Sequence, residues 1–154
     1  MVTIEPCPKT YAALQNNIKL NNLRNVIALN VAALDRNGTV SLFLGDVAGR
    51  HSTVCNLGLG KIEVPAKTLD HLLLEELELQ KVDLVKIDVE GAECEVLDGM
   101  KKVAQKYRPK IVLEVWNVNL SKIRSLLRNM NYNVDTVIAN KMPVYLVCSS
   151  EPQE

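Results

Sequence analysis

Apolar residues recur along this chain with two spacings, and the switches between them mark out its elements. Val2-Thr3-Ile4 is a short β-prone run stopped by Pro6 and Pro8. Pro8 suits the first turn of a helix, where its missing N–H costs nothing. That helix sets Tyr11, Leu14 and Ile18 on one face and runs out at Asn21 and Asn22. From Val26 to Leu34 the sequence is almost continuously apolar, the pattern of a strand covered on both faces. Asn37-Gly38 marks a turn, and Thr39 to Leu44 alternates in part, as a strand does. Residues 45–60 hold four glycines and read as an irregular loop, with Val64 to Lys67 as another short strand. Thr68 is placed to cap a helix that carries Asp70 in its first turn and Leu69, Leu72 and Leu73 inward.

The second half is more regular. Val82 to Val89 forms the clearest strand and leads into Glu90-Gly91-Ala92. Val96, Leu97, Met100, Val103, Ala104 and Tyr107 then fall on one helical stripe, which Arg108-Pro109 ends. Ile111 to Trp116 reads as a strand, and Ser121 as the cap of a helix with Ile123, Leu126, Leu127 and Met130 on its inner face. Tyr132 to Ala139 and Val144 to Cys148 close the chain around a turn at Pro143. Strands alternating with helices imply right-handed crossovers, hence an α/β fold with one open, mostly parallel sheet and helices on both faces. The Ile4-Glu5 strand and the Val85–Asp88 strand are expected within that one sheet. The last two strands are joined too closely for a parallel crossover, so one of them should run antiparallel.

Length and charge narrow the picture. The 154 residues suffice for a single domain over 1–154, with 47% hydrophobic and 23% charged residues typical of a globular chain. Eighteen basic residues balance eighteen acidic ones, so no charge excess points to nucleic acid or to a membrane surface. Cys7, Cys55, Cys94 and Cys148 are far apart and lack zinc spacing, which reads as free thiols in a reducing compartment. The N-terminus has no charged and apolar leader, and no apolar run is long enough to span a bilayer. A cytoplasmic location is therefore expected.

Ligands in open α/β sheets bind outside the carboxyl ends of the strands, so the strand ends are where chemistry is sought. Glu5 ends the first strand, placed either to accept hydrogen bonds from ribose hydroxyls or to favour the N-terminus of the helix that follows. Lys86, Asp88 and Glu90 share one face of their strand. A lysine in a buried strand needs a partner, and Asp88 or Glu114 would supply it. Glu90-Gly91 also fits a plain strand-to-helix turn. Glu114 to Asn117 ends the next strand, where Trp116 either stacks on a flat ligand or fills core. His51, beside Ser52 and Thr53 in the glycine-rich loop, reads as a surface residue or a base.

Taken together, the strings resemble one family. Ile4-Glu5-Pro6-Cys7-Pro8, Asn16-Asn17-Ile18, Leu20-Asn21-Asn22, Asn25-Val26, Ala32-Ala33-Leu34 and Thr68-Leu69-Asp70 are similar, in order and spacing, to FkbM-type methyltransferases. So are Val96-Leu97 and the run Arg108 to Val115, and Lys86-Ile87-Asp88-Val89-Glu90-Gly91-Ala92-Glu93 is the most specific motif. The resemblance implies a class I, Rossmann-like sheet, S-adenosylmethionine as methyl donor, and a hydroxyl of a sugar or small metabolite as acceptor. It implies cofactor contacts from Glu5, Ser52 and Asp88, a small-residue loop near the donor at Ser52 and Thr53, and catalytic positions at Asp88 and Glu90. Oxygen donors at Asp88, Glu90 and Asn117 would suit Mg²⁺, although no metal site is assigned.

One departure limits what the resemblance carries. Family members normally open with a strand, a glycine-rich Asp-x-Gly-x-x-x-Gly turn and a helix before the Glu-Pro strand, whereas Glu5 is the fifth residue here. The expected domain is therefore N-terminally truncated. Either Met1 stands inside a longer protein, or the sheet is repaired by joining its separated strands or by pairing in a homodimer. Two functions follow: a methyltransferase, or a non-catalytic binding or assembly module that kept the fold and lost its grip on the cofactor.

Overall fold

The computed structural model describes residues 1–45, 51–56, 59–115, 119–138 and 143–150. Its elements begin with β1 (Val2–Ile4), α1 (Pro8–Leu20), β2 (Ile27–Leu29), β3 (Ala32–Ala33), β4 (Gly38–Phe43) and β5 (Lys61–Lys67). A π-helical turn, His71–Glu76, then leads to β6 (Leu84–Ile87), α2 (Glu93–Asp98) and α3 (Lys101–Tyr107). The chain continues through β7 (Lys110–Val115), α4 (Leu120–Asn129), β8 (Tyr132–Ile138) and β9 (Val144–Ser150). Trp116 and Asn117 lie outside the described residues.

The fold is α/β, with β1 parallel to β2, β3 parallel to β5 and β6 parallel to β7. The closing pair behaves as its short connection requires: β9 runs antiparallel to both β7 and β8. The expectation of a single sheet is corrected. The strands form three hydrogen-bonded groups, β1-β2, β3-β5-β4 and β6-β7-β9-β8. β1 and β6, expected in one ladder, are separated by a cleft, and no described strand lies between them to carry the hydrogen bonds across.

Most of the core belongs to the third group. Leu97, Met100, Val103, Ile111, Leu113, Ile123 and Leu146 are completely buried where α2, α3 and α4 cover one face of this sheet. Cys148 sits among them, and burial pushes its thiol up to about 12. All four cysteines are free. A smaller core, with Cys7, Leu34, Leu42, Val64 and Ala92, lies under β3, β4 and β5.

Two further expectations change for local reasons. The stripe from Val96 to Tyr107 is broken into α2 and α3, because the backbone at Gly99 presses on another segment. A Cβ there would lie 2.0 Å from the Leu34 carbonyl oxygen, and the Gly99 carbonyl accepts the Asp70 N–H at 2.9 Å. Asp70 then caps the second piece, with Oδ2 and Oδ1 accepting the N–H groups of Lys102 and Val103 at 3.1 and 2.8 Å. Thr68 does cap the turn that follows it, its hydroxyl accepting the His71 N–H at 3.0 Å. The apolar run from Val26 to Leu34 is not one strand covered on both faces. It splits into β2 and β3, and Ile27 is 45% exposed, since no described element covers one side of β2.

Candidate active site

A cleft of about 920 Å³ opens between β1 and β6, within the range of small-molecule sites. Its apolar floor includes Leu69, Leu73 and Val96, and its mouth carries Glu5, His51, Thr53, Asp88 and Glu90. The mouth forms where β1 and β6 end. Glu5 is within electrostatic reach of His51, and the next residue, Ser52, donates its hydroxyl to the Glu90 carbonyl at 2.8 Å. The carboxyl ends of both strands therefore meet at one place, the location at which open α/β sheets bind ligands.

Glu5 is held by local bonding. Its N–H donates to Leu29 at 3.0 Å, and the Asn30 amide bonds the carbonyls of Glu5 and Pro6 at 2.8 and 3.0 Å. Its Oε1 accepts the Cys7 N–H at 2.8 Å, one residue ahead of α1, which sets the carboxylate beside the helix N-terminus. The other oxygen, Oε2, has no hydrogen bond from a described residue and belongs to a side chain lining the cleft. Oε1 thus serves the helix entry, one of the two readings the sequence offered for Glu5. Burial raises its pKa above 4.5, while the Cys7 N–H and His51 restrain the rise.

The loop beside Glu5 divides its two hydroxyls between structure and cleft. Ser52 is buried, pairs with Phe43 through a bridge, and accepts the N–H groups of Val54 and Cys55 at 3.1 and 3.0 Å. Its hydroxyl is fully occupied within the protein, and Ser52 is not among the residues that line the cleft. Thr53 is, and its buried Oγ1 has no hydrogen-bond partner among the described residues. A buried hydroxyl without a partner is costly unless a ligand or water meets it. His51 Nδ1 accepts the Gly45 N–H at 3.2 Å, which leaves Nε2 as the protonated nitrogen of the neutral ring.

Across the mouth, Lys86 donates to Asp88 at 2.8 Å. The pairing and a partial burial agree with the sequence, although the side chain is 63% exposed and the strand is not covered on both faces. β6 is an edge strand, and no described element covers the face that Lys86 occupies. The bond to Asp88 holds the Lys86 pKa up against partial burial, with Glu114 and Tyr145 adding to it. Glu114 hydrogen-bonds the Tyr145 phenol and raises its pKa, away from the cleft lining.

Glu90 and Gly91 form a tight turn, with φ of 49° and 107° and the Ala92 N–H facing the Val89 carbonyl at 3.4 Å. A left-handed glutamate is strained by roughly 1–3 kcal/mol, and such strain persists only where neighbours hold it. Glu93 does the holding. It is fully buried, with Oε1 accepting the Gly91 N–H at 2.9 Å and Oε2 the Asn119 amide at 3.2 Å. The same Asn119 nitrogen donates to the Gly91 carbonyl at 3.0 Å, tying the turn to the start of α4. Sequence reasoning gave Glu93 no role, because an acid opening a helix is ordinarily a solvated partner of the dipole.

Among the described residues, no group of three or more His, Cys, Asp or Glu side chains is arranged to hold a metal ion. No helix there is long and apolar enough to cross a membrane.

The methyltransferase FkbM domain model matches residues 1–134. No curated protein gives a significant match. Among solved structures, a methyltransferase FkbM from Methylobacillus flagellatus KT superposes with a TM-score of 0.68 at 15% identity. The match covers 96% of this chain and 36% of that one. A precorrin-6y C5,15-methyltransferase from Geobacter metallireducens GS-15 gives a TM-score of 0.53 at 18% identity, covering 98% of this chain and 66% of that one. At these identities the superpositions establish the fold, and this chain spans only part of either protein's length. With the family match running through both walls of the cleft, the chain belongs to the FkbM methyltransferase domain family.

Proposed function

We propose that the cleft mouth is the ribose and acceptor side of an S-adenosylmethionine-dependent methyltransferase site, acting on a hydroxyl of a sugar or small metabolite. The observation that carries this reading is a pair of unsatisfied groups. Glu5 Oε2 and the Thr53 hydroxyl both lack described partners and line one cleft with Asp88 and Glu90. A carboxylate oxygen and a hydroxyl suit the two hydroxyls of a ribose. Ser52 supports the site by anchoring Thr53 beside the Glu90 carbonyl, in place of touching cofactor itself.

When bound, S-adenosylmethionine supplies a methyl group carried on a sulfonium. Glu5 and Thr53 would hold its ribose, and the chemistry it would supply is displacement at the methyl carbon by the acceptor oxygen, with the C–S electron pair left on sulfur. Such a displacement gains most from positioning. The acceptor's proton goes to a carboxylate at the mouth, Asp88 or Glu90. Glu90 is half-buried on a turn fixed by Glu93, and Asp88 is bonded to Lys86.

The chain by itself holds the cofactor weakly. One charge-assisted hydrogen bond from Glu5 contributes about 1.5–3 kcal/mol, against the roughly 8 kcal/mol that micromolar affinity requires. Titrating millimolar adenosine into isotope-labelled protein tests the assignment. The amide signals of Glu5, Thr53, Val89 and Glu90 should shift together. Shifts confined to another surface would remove the reading.

A further inference from the structure

His51, the residue before Ser52, carries a donor that the fold leaves open at the mouth. The segment holding it is pinned on two sides. Phe43 and Ser52 exchange both main-chain hydrogen bonds, at 2.8 and 3.1 Å, and the Ser52 hydroxyl is anchored on the Glu90 carbonyl. On this support the His51 ring turns Nδ1 into its own loop, where it accepts the Gly45 N–H at 3.2 Å. The opposite corner of the ring, with Nε2, has no hydrogen bond to a described residue, and His51 lines the cleft.

The sequence allows His51 to be a surface residue or a base, and its bonding decides against the base. A bare Nδ1 that accepts an N–H obliges Nε2 to carry the ring's proton. A fully protonated ring carries a proton on Nε2 as well. Nε2 is therefore a donor in both charge states.

Donors are scarce here. Glu5, Asp88 and Glu90 present carboxylates, which only accept when ionised. Lys86 already donates to Asp88, and Thr53 offers a single hydroxyl. His51 lies within electrostatic reach of Glu5, whose Oε2 is open on the same cleft. An acceptor beside a fixed N–H donor matches a vicinal diol, because each hydroxyl gives one hydrogen bond and takes up to two. A carboxylate alone reads only the donating half of such a group.

We propose that His51 is a second ribose-binding residue, its Nε2–H donating to the diol whose hydroxyls donate to Glu5 Oε2. The inference rests on the ribose reading of the mouth and adds a donor to it. Together the two residues select for an intact diol, since a deoxy ligand leaves both groups unpaired at once.

The test titrates adenosine, and dideoxyadenosine lacking both ribose hydroxyls, into the full isotope-labelled chain as wild type, His51→Asn and His51→Gln. Asparagine keeps an oxygen near the place of Nδ1 for the Gly45 N–H but has nothing at the place of Nε2. Glutamine reaches that place with an N–H. Adenosine should bind His51→Asn about fivefold more weakly, as for the loss of one neutral hydrogen bond. His51→Gln should recover most of that loss. Dideoxyadenosine should bind all three proteins equally weakly, because the effects of the diol and of His51 are coupled. Amide exchange at Gly45 should be unchanged in His51→Asn, which separates the lost donor from a disturbed loop. Ring-nitrogen spectra of the wild type should show Nδ1 bare and Nε2 protonated, with the Nε2 signal moving as adenosine is added. If adenosine moves the Glu5 and Thr53 signals yet binds His51→Asn as well as wild type, the inference is overturned and the ribose reading stands. A ring with its proton on Nδ1 overturns the inference alone. If adenosine moves neither Glu5 nor Thr53, both fall together.

Discussion

The β6-β7-β9-β8 sheet and the β1-β2 pair use similar residues, yet they are held in different ways. The first places Ile111, Leu113, Val115, Leu146 and Cys148 against three helices with none of their surface exposed. In the second, α1 has no buried residue, and Tyr11, Leu14 and Ile18 are only half-buried. β1 nonetheless has a fixed register, pinned by Asn30 below Glu5 and by the Tyr11 hydroxyl on Ala28. The difference separates two sources of order. One region is stabilised by apolar burial, which is large and non-directional. The other is positioned mainly by hydrogen bonds, each contributing about 0.5–1.5 kcal/mol net. The candidate site lies at the boundary, with Asp88 and Glu90 on the packed side and Glu5 on the open side.

Core substitutions probe this contrast with the largest effects. Leu113→Ala should cost about 3 kcal/mol in urea denaturation. Gly99→Ala should cost about as much, because the new methyl group meets the Leu34 backbone and neither segment has room to move. Leu14→Ala on α1 should cost under about 1 kcal/mol, in proportion to its smaller burial. Equal losses at Leu14 and Leu113 would break the comparison.

A smaller effect is expected at the boundary. Glu93→Gln keeps the shape but turns one acceptor into a donor opposite either the Gly91 N–H or the Asn119 amide. Stability should fall by about 1–2 kcal/mol. Amide exchange at Glu90 and Gly91 should quicken more than in the core of α4, which would show that Glu93 holds the turn.

The smallest effect belongs to Glu5. The folded protein keeps the Glu5 proton to higher pH than the unfolded chain, so it binds more protons just above pH 4.5. Stability contributed by Glu5 is then fully present below that value and falls as pH rises through the raised one. Glu5→Gln removes this dependence. Its melting temperature relative to wild type should therefore increase between pH 4.5 and neutrality, and a constant difference across that range would contradict the burial of Glu5.

The same boundary marks how much the sequence revealed. Periodicity located β6, β7 and α4 because packing confirms each residue's local preference. It failed where a distant segment intervened: the split at Gly99 depends on Leu34, sixty-five positions away by the numbering. The exposure of Lys86 was equally hidden, since an apolar strand reads as buried whether or not a neighbour covers it. Glu5, Asp88 and Glu90 were legible as residues ending strands, and the structure brings them to one mouth. Glu93 was not, because a buried clamp exists only after folding; Thr53 was set near the donor by the resemblance, but its orphaned hydroxyl appears only in the fold. Ser52 illustrates the converse, a polar loop residue whose bonding capacity is used internally.

Calorimetric titration of S-adenosylmethionine into the chain and its Glu5→Ala variant tests the proposed site most directly. The expected dissociation constant is no tighter than about 0.1 mM, near 5.5 kcal/mol of binding. In the variant it should weaken a further tenfold or more, the loss of about one charge-assisted hydrogen bond. A low-micromolar constant for the chain alone, or weak binding indifferent to Glu5→Ala, would contradict the proposed site with Glu5 as its ribose contact.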